Sequence, residues 1–202
     1  MIPDRTIGRL ALYKRILSEA SLKGTISVHS HDLATQAGVT AAQVRRDLMN
    51  LGYAGSTKRG YEVEGLLTSI QEFLDKPGGQ NVILIGVGNL GRALLSHFSS
   101  RRELRICASL DMSPEKAGRM IHGCPCHGPE DLSSLIEEHH IEAAILAIPS
   151  DRAQEMADRL IGLGVTGILN FAPVPILAPE NVYVENIDLT MALEKVAYFS
   201  RQ

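Results

Sequence analysis

The stretch Asn81-Val-Ile-Leu-Ile-Gly-Val-Gly-Asn-Leu-Gly91 constrains this chain more than any other. Val82 to Ile85 is a short apolar run that stops at a glycine, which is how a buried strand reads. It passes directly into Gly86-Val87-Gly88-Asn89-Leu90-Gly91, a match to G-x-G-x-x-G, and the spacing of Leu90, Ala93, Leu94, Leu95 and Phe98 predicts a helix immediately after. Gly86 permits a tight turn, Gly88 lets a pyrophosphate approach the backbone, and Gly91 lets helix and strand pack closely. The N–H groups at the helix start would hold the phosphates. Leu104 to Leu110 reads as a second strand with Asp111 at its end, about 20 residues past the glycines, where the fingerprint places an acid for the adenosine ribose. A carboxylate there favours NAD over NADP, and no arginine directly follows it. Without a ligand the same pattern would be an ordinary strand–turn–helix.

Strand and helix patterns go on alternating after Asp111. A short helix is expected from Pro114 (PEKAGRMI), a helix over Asp131 to His139, a strand over Glu142 to Ile148, a helix over Asp151 to Leu163, and strands at Ile168 to Asn170 and Val182 to Val184. Such alternation means a parallel sheet with helices on both faces. Asp111, Ile148, Pro149, Asn170 and Phe171 fall at the carboxyl ends of these strands, where a ligand crevice is expected. Cys124-Pro-Cys126 between His122 and His127 has C-x-C spacing and no second ligand pair, so a turn entering a strand is expected and no metal site.

The first third of the chain has a different character. Residues 1–60 carry nine Lys and Arg against four Asp and Glu, a balance of +5, whereas the remainder carries −8. A basic segment on an acidic body points to nucleic acid, although surface charge can also be unevenly spread by chance. Residues 4–22 have a helical apolar stripe. Ser30 can cap a second helix, His31 to Ala37, which Gly38 ends. Thr40-Ala-Ala-Gln43 is a capping box for a third, with Val44, Leu48 and Leu51 facing inward. The two short helices and their turn form a helix-turn-helix. Its second helix leaves Gln43, Arg45 and Arg46 on the outer side or its flanks, residue types suited to base edges. Residues 52–63 then predict a β-hairpin wing whose basic tip, Lys58 and Arg59, is placed for phosphate or minor-groove contact. A helix over Glu64 to Leu74 follows, and Asp75-Lys-Pro-Gly-Gly79 is a breaker-rich linker.

The expected organisation is a winged helix-turn-helix domain over 1–77, a Rossmann-like parallel-sheet domain over 78–185, and a C-terminal helix over 186–202. That last helix carries Leu189, Ala192, Leu193, Val196, Ala197 and Phe199 and is too apolar to be a free tail. Packing on its own domain is the ordinary expectation; packing on a second subunit is the sharper one. No apolar run approaches a membrane span and the first residues lack a signal-peptide core, so a cytoplasmic location is expected and no membrane partner. Three cysteines make no disulfide framework.

A winged helix followed by a Rossmann domain in about 200 residues resembles the Rex family of bacterial redox-sensing repressors. The resemblance runs over nearly the whole chain. It is carried by Leu12-Tyr-Lys-Arg15, Gln43-Val-Arg-Arg-Asp47, the glycine loop, Asp111-Met-Ser-Pro-Glu-Lys116, Gly167-Ile-Leu-Asn-Phe-Ala-Pro173 and Glu185-Asn-Ile-Asp188. It implies a homodimer with the C-terminal helix domain-swapped between the partner's two domains. It implies binding of a palindromic double-stranded operator when NADH is low, and release by NADH as the sensed ligand against NAD+. It also implies a switch pair across subunits, Asp188 with Arg15. The sequence departs from the family pattern at three places. His97 stands where a tyrosine that helps tell the cofactor states apart is usual, the wing Lys-Arg usually lies two residues earlier, at Ser56 and Thr57, and Leu110 replaces a common aromatic. Two other readings compete. An NAD-dependent dehydrogenase with an accessory N-domain would need a proton donor and a substrate domain, which the 17 residues after the Rossmann unit do not supply, so no enzyme is expected. A winged-helix regulator gated by another nucleotide, such as an acyl-CoA, has Asp111 against it.

Overall fold

The computed structural model describes residues 2–53, 55, 56, 59–101 and 103–201. They form two compact units, 1–77 and 78–202.

The first unit is helical. α1 (Asp4–Leu22) and α4 (Val63–Leu74) lie against each other, with α2 (Ser30–Ala37) and α3 (Ala41–Asn50) beside them. Leu10, Tyr13 and Leu17 of α1, Leu33 of α2, Val44 and Leu48 of α3, and Leu66 and Ile70 of α4 are fully buried in one core. Thr40 caps α3, its hydroxyl accepting from the Gln43 N–H at 3.1 Å. The other half of the expected box is absent: Gln43 Nε2 donates to Asp47 Oδ1 instead, at 2.9 Å. Ser30 is the first residue of α2 rather than its cap, a place taken by His29, whose N–H donates to Asp32. β1 (Ser27–Val28) pairs antiparallel with β2 (Tyr61–Glu62). Of the wing expected over 52–63, residues 54, 57 and 58 lie outside the described residues, Lys58 of the basic tip among them. Among the described residues its hairpin closes only through a bridge between Ser56 and Gly60.

The second unit is a seven-stranded sheet in the order β5 (Met120–Ile121), β6 (Cys124–His127), β4 (Leu104–Leu110), β3 (Gln80–Ile85), β7 (Ala143–Leu146), β8 (Gly167–Asn170), β9 (Tyr183–Asn186). All neighbours are parallel except β5 with β6. From β3 the chain builds outward through β4 and β6, then returns to lay β7 on the other side of β3. The order reverses there, and the carboxyl ends of β3 and β7 flank the switch point where α/β sheets bind ligands. α6 (Leu132–Glu138) and α7 (Ser150–Gly162) bury Leu132, Leu135, Ala153, Ala157 and Leu160 on one face of the sheet. α5 (Asn89–Phe98) covers part of the other through Leu95. The β8–β9 side of that second face stays open, as a shallow apolar groove of 220 Å³ that includes Ile145, Leu169 and Tyr183.

One expected helix does not form. The PEKAGRMI segment forms turns, not a helix, because Gly118 takes φ +78° and the chain reverses into β5. The Cys124-Pro-Cys126 stretch does follow its expected pattern, since His122 and Gly123 form a turn that enters the strand β6. α8 (Leu189–Phe199) buries none of its residues, so packing on its own domain does not occur. Leu193, Val196, Tyr198 and Phe199 are each about two-thirds exposed.

Candidate functional site

The glycine loop is held from three sides. Gly86 takes φ +96°, and a Cβ there would overlap the Ala147 carbonyl at the end of β7. A Cβ on Gly91 would overlap the Gly86 carbonyl oxygen, so the first turn of α5 sits directly on the loop. Gly88 is different. Its φ is −76°, and an added Cβ would meet no heavy atom within 4 Å. The backbone is thus bare where a pyrophosphate must come close, though the protein itself does not require a glycine there. Gly88 is also the N-cap of α5, whose first N–H groups lack intrahelical partners and favour an anion.

Asp111 closes the loop. Its Oδ2 accepts from the Val87 N–H at 2.8 Å and its Oδ1 from the Ser113 N–H at 2.9 Å. Lys116, which sequence spacing did not single out, donates to Oδ2 at 2.9 Å. Burial opposes ionisation of Asp111, but the bonds from Lys116, Ser113 and Val87 outweigh it and hold the carboxyl below the usual range. A cavity of 410 Å³ opens beside these groups, lined by Gly86, Gly88, Asp111, Lys116, Ile148 and Pro149, among others. Met112 and Met156 add apolar surface to it. Glycine cradle, helix N-terminus, ribose-side acid and apolar wall together fit a dinucleotide. A larger hollow, 810 Å³, lies at the opposite ends of β3 and β4, away from the glycine loop.

Not every expected residue joins this cavity. Val87 is buried and contributes only its N–H, while Asn89 and Leu90 open α5. Asn170 does not face the crevice. It is fully buried, and its amide donates to Val174 O at 2.7 Å and Asn186 Oδ1 at 2.8 Å while accepting from the Ala172 N–H. It holds the loop after β8. Phe171 packs into the cluster on the α5 side of the sheet. His97 is exposed on α5, edge-on to Phe98. Asp188 caps α8, accepting from the Met191 N–H at 2.9 Å.

In the first unit, Arg45, Arg46 and Arg59 are exposed, as is Arg15 on α1. Arg45 donates to Ser30 Oγ at 3.0 Å, joining α3 to the start of α2. The inner side of α3 holds Asp47, a buried carboxylate absent from the expected site. Arg9 grips it through Nε at 2.6 Å and Nη2 at 2.7 Å, Tyr13 donates at 3.0 Å, and Gln43 supplies the fourth bond. Asp47 therefore fixes α3 to α1, and with it the angle at which Arg45 and Arg46 are presented. Gln43 is committed to this network rather than reaching outward.

A dinucleotide-type α/β unit carried with a helix-turn-helix unit defines a ligand-responsive DNA-binding protein. Residues 79–174 match the family model described as "CoA binding domain", and residues 1–48 match "Putative DNA-binding protein N-terminus". Over 98% of its length the chain is 39% identical to the redox-sensing transcriptional repressor Rex of Lactobacillus acidophilus, spanning 94% of that protein. It is 37% identical to Rex of Streptomyces coelicolor, over all of this chain and 78% of that one. Among solved structures, RSP in complex with beta-NAD+ and operator DNA superposes with a TM-score of 0.90 at 34% identity, covering 98% of this chain and 92% of RSP. RSP in complex with beta-NADH gives 0.86 at 33% identity, covering 98% and 93%. With this identity over almost its full length, the chain belongs to the Rex family of redox-sensing transcriptional repressors.

Proposed function

We propose that this chain is a homodimeric repressor, not an enzyme, that occupies palindromic operator DNA when NADH is scarce and leaves it when NADH binds. One observation carries the reading: a glycine cradle left bare at Gly88 and closed by Asp111, in the same chain as a helix presenting Arg45 and Arg46. No side chain has to perform chemistry. NADH supplies binding energy alone, and if the DNA-free arrangement of the chain binds it better, it must weaken DNA binding by the same factor. A tenfold effect needs about 1.4 kcal/mol of differential affinity.

The DNA-contacting residues are Arg45, Arg46, Lys58 and Arg59, with Gln43 acting through Asp47. The cofactor cradle is Gly86 to Gly91 with Asp111, Ile148 and Pro149. The domains run 1–77, 78–185 and 186–202. Among the described residues, α8 and the groove over β8 and β9 are apolar surfaces that nothing covers, which supports pairing through the C-terminal helix. Among the described residues no helix is long and apolar enough to cross a membrane, which fits a protein working on DNA in the cytoplasm.

The deciding experiment is fluorescence anisotropy of a palindromic operator titrated with NADH, NAD+ and coenzyme A in turn. Release by NADH far below the NAD+ concentration supports the reading; release by coenzyme A alone gives the site to a different nucleotide. Arg46→Ala should weaken operator binding about tenfold, from roughly 1–3 kcal/mol for a base-reading arginine, with NADH affinity unchanged. Unaltered DNA affinity would remove Arg46 from the interface. For the switch, Asp188→Asn is the informative change because asparagine caps a helix as well as aspartate while losing the charge. We expect about ten times more NADH to be needed for DNA release, as a coupling of 1–3 kcal/mol allows. Normal release would reject the pair with Arg15.

A further inference from the structure

Asp111 is not a bare carboxylate. Lys116 Nζ lies 2.9 Å from its Oδ2, and both side chains are mostly buried, at 26% and 12% exposed. They line the cavity that Gly88 opens into. The lysine is not on a loose loop. The turn that carries it is closed by the Lys116 N–H to Ser113 O at 3.0 Å and pinned to β6 by the Gly118 N–H to Cys126 O at 2.8 Å. Ser113 is itself tied to Asp111. The ammonium is therefore held against the acid by backbone geometry, and it uses only one of its three N–H donors there.

We infer that Lys116 is a specificity-determining residue, which sets how strongly the site separates NADH from its 2′-phosphorylated counterpart NADPH. This rests on the reading that the glycine loop and Asp111 hold the adenosine half of a dinucleotide. An acid at the ribose position rejects a 2′-phosphate by charge and by demanding hydroxyl donors. Here the charge component is largely cancelled, because the nearest cation and anion form a pair. What remains is Asp111's demand for donors, and three of its acceptor positions are already filled. Removing the cation exposes a full negative charge to a phosphate carrying nearly two. Removing the anion instead leaves a cation beside that phosphate.

The test is the ratio of dissociation constants for NADH and NADPH, by direct titration of the full chain without DNA. Lys116→Gln should weaken NADPH at least tenfold more than NADH. Asp111→Asn should move the ratio tenfold the other way. Lys116→Arg, which keeps the cation, should leave the ratio near that of the unmodified chain and covers the case in which the Gln variant folds poorly. If Lys116→Gln weakens both ligands equally, Lys116 only positions Asp111 and the inference is overturned. If the unmodified chain binds neither dinucleotide, the underlying reading of the site fails and takes this inference with it.

Discussion

Gly88→Val should give a folded repressor that no longer releases DNA. The loop conformation does not need glycine at this position, since φ is −76° and the space beyond the missing Cβ is empty of protein. That space is where a pyrophosphate would have to touch the backbone, and an isopropyl group would occupy it. NADH affinity should drop by two orders of magnitude or more, about 2.7 kcal/mol, with melting temperature and operator affinity near those of the unmodified chain. Gly91→Val is the contrast. Its Cβ would strike the Gly86 carbonyl, so that variant should lose the fold of the loop rather than the ligand alone. Calorimetric titration with NADH decides the first case: wild-type affinity in Gly88→Val would place the phosphates elsewhere.

The second large effect is expected at Asp47. Asp47→Ala would leave the buried Tyr13 hydroxyl without its acceptor and the Arg9 guanidinium without its counter-ion, with only Thr6 Oγ1 still accepting from it. Breaking a buried pair by removing one partner costs roughly 3–5 kcal/mol, and for a unit of this size each kcal/mol moves the melting point by about 4–8 °C. A fall of at least about 12 °C is expected for the first unit, read by hydrogen exchange in α1 and α3. Operator affinity should fall with it while NADH binding does not. A loss below about 1 kcal/mol would show that the cluster does not hold the two helices. The pair also gives a pH signature. Burial works against the ionised carboxyl, but the bonds from Arg9, Gln43 and Tyr13 win and lower its pKa. The stabilisation is therefore complete above the unfolded value, about 3.9, and drains away as pH falls through the lower folded value. The Ala variant should lose this part of the acid sensitivity.

The parts of this molecule that were legible in the sequence are those whose signals are local. Strand, glycine loop, helix, second strand and acid lie within 31 residues, Asn81 to Asp111, and each is set by its neighbours in the chain. The structure places them together. The boundaries of α1, α3 and α5 were readable for the same reason. Asp47 was not, because its meaning lies 38 and 34 residues away in Arg9 and Tyr13. Read locally, it is only a polar residue three past Val44. Lys116 was hidden by a mistaken helix, whose sequence has the composition of one but gives way to turns at Gly118 and to pairing with β6. β5, the other arm of the hairpin with β6, escaped because it is only two residues long. Asn170 was expected in the crevice because it ends β8; only the fold shows that its amide turns to the loop behind it.

The three cysteines give the word redox a narrower meaning. Cys107, Cys124 and Cys126 are at most 5% exposed, and burial raises all three thiols, Cys124 to about 11. A thiol reacts with oxidants as its thiolate, and at neutral pH these sites hold almost none. Peroxide finds no ready thiol on this protein. A signal that has to be written on a cysteine therefore has no easy entrance here, whereas one carried by the nicotinamide pool needs only the cavity beside Gly88.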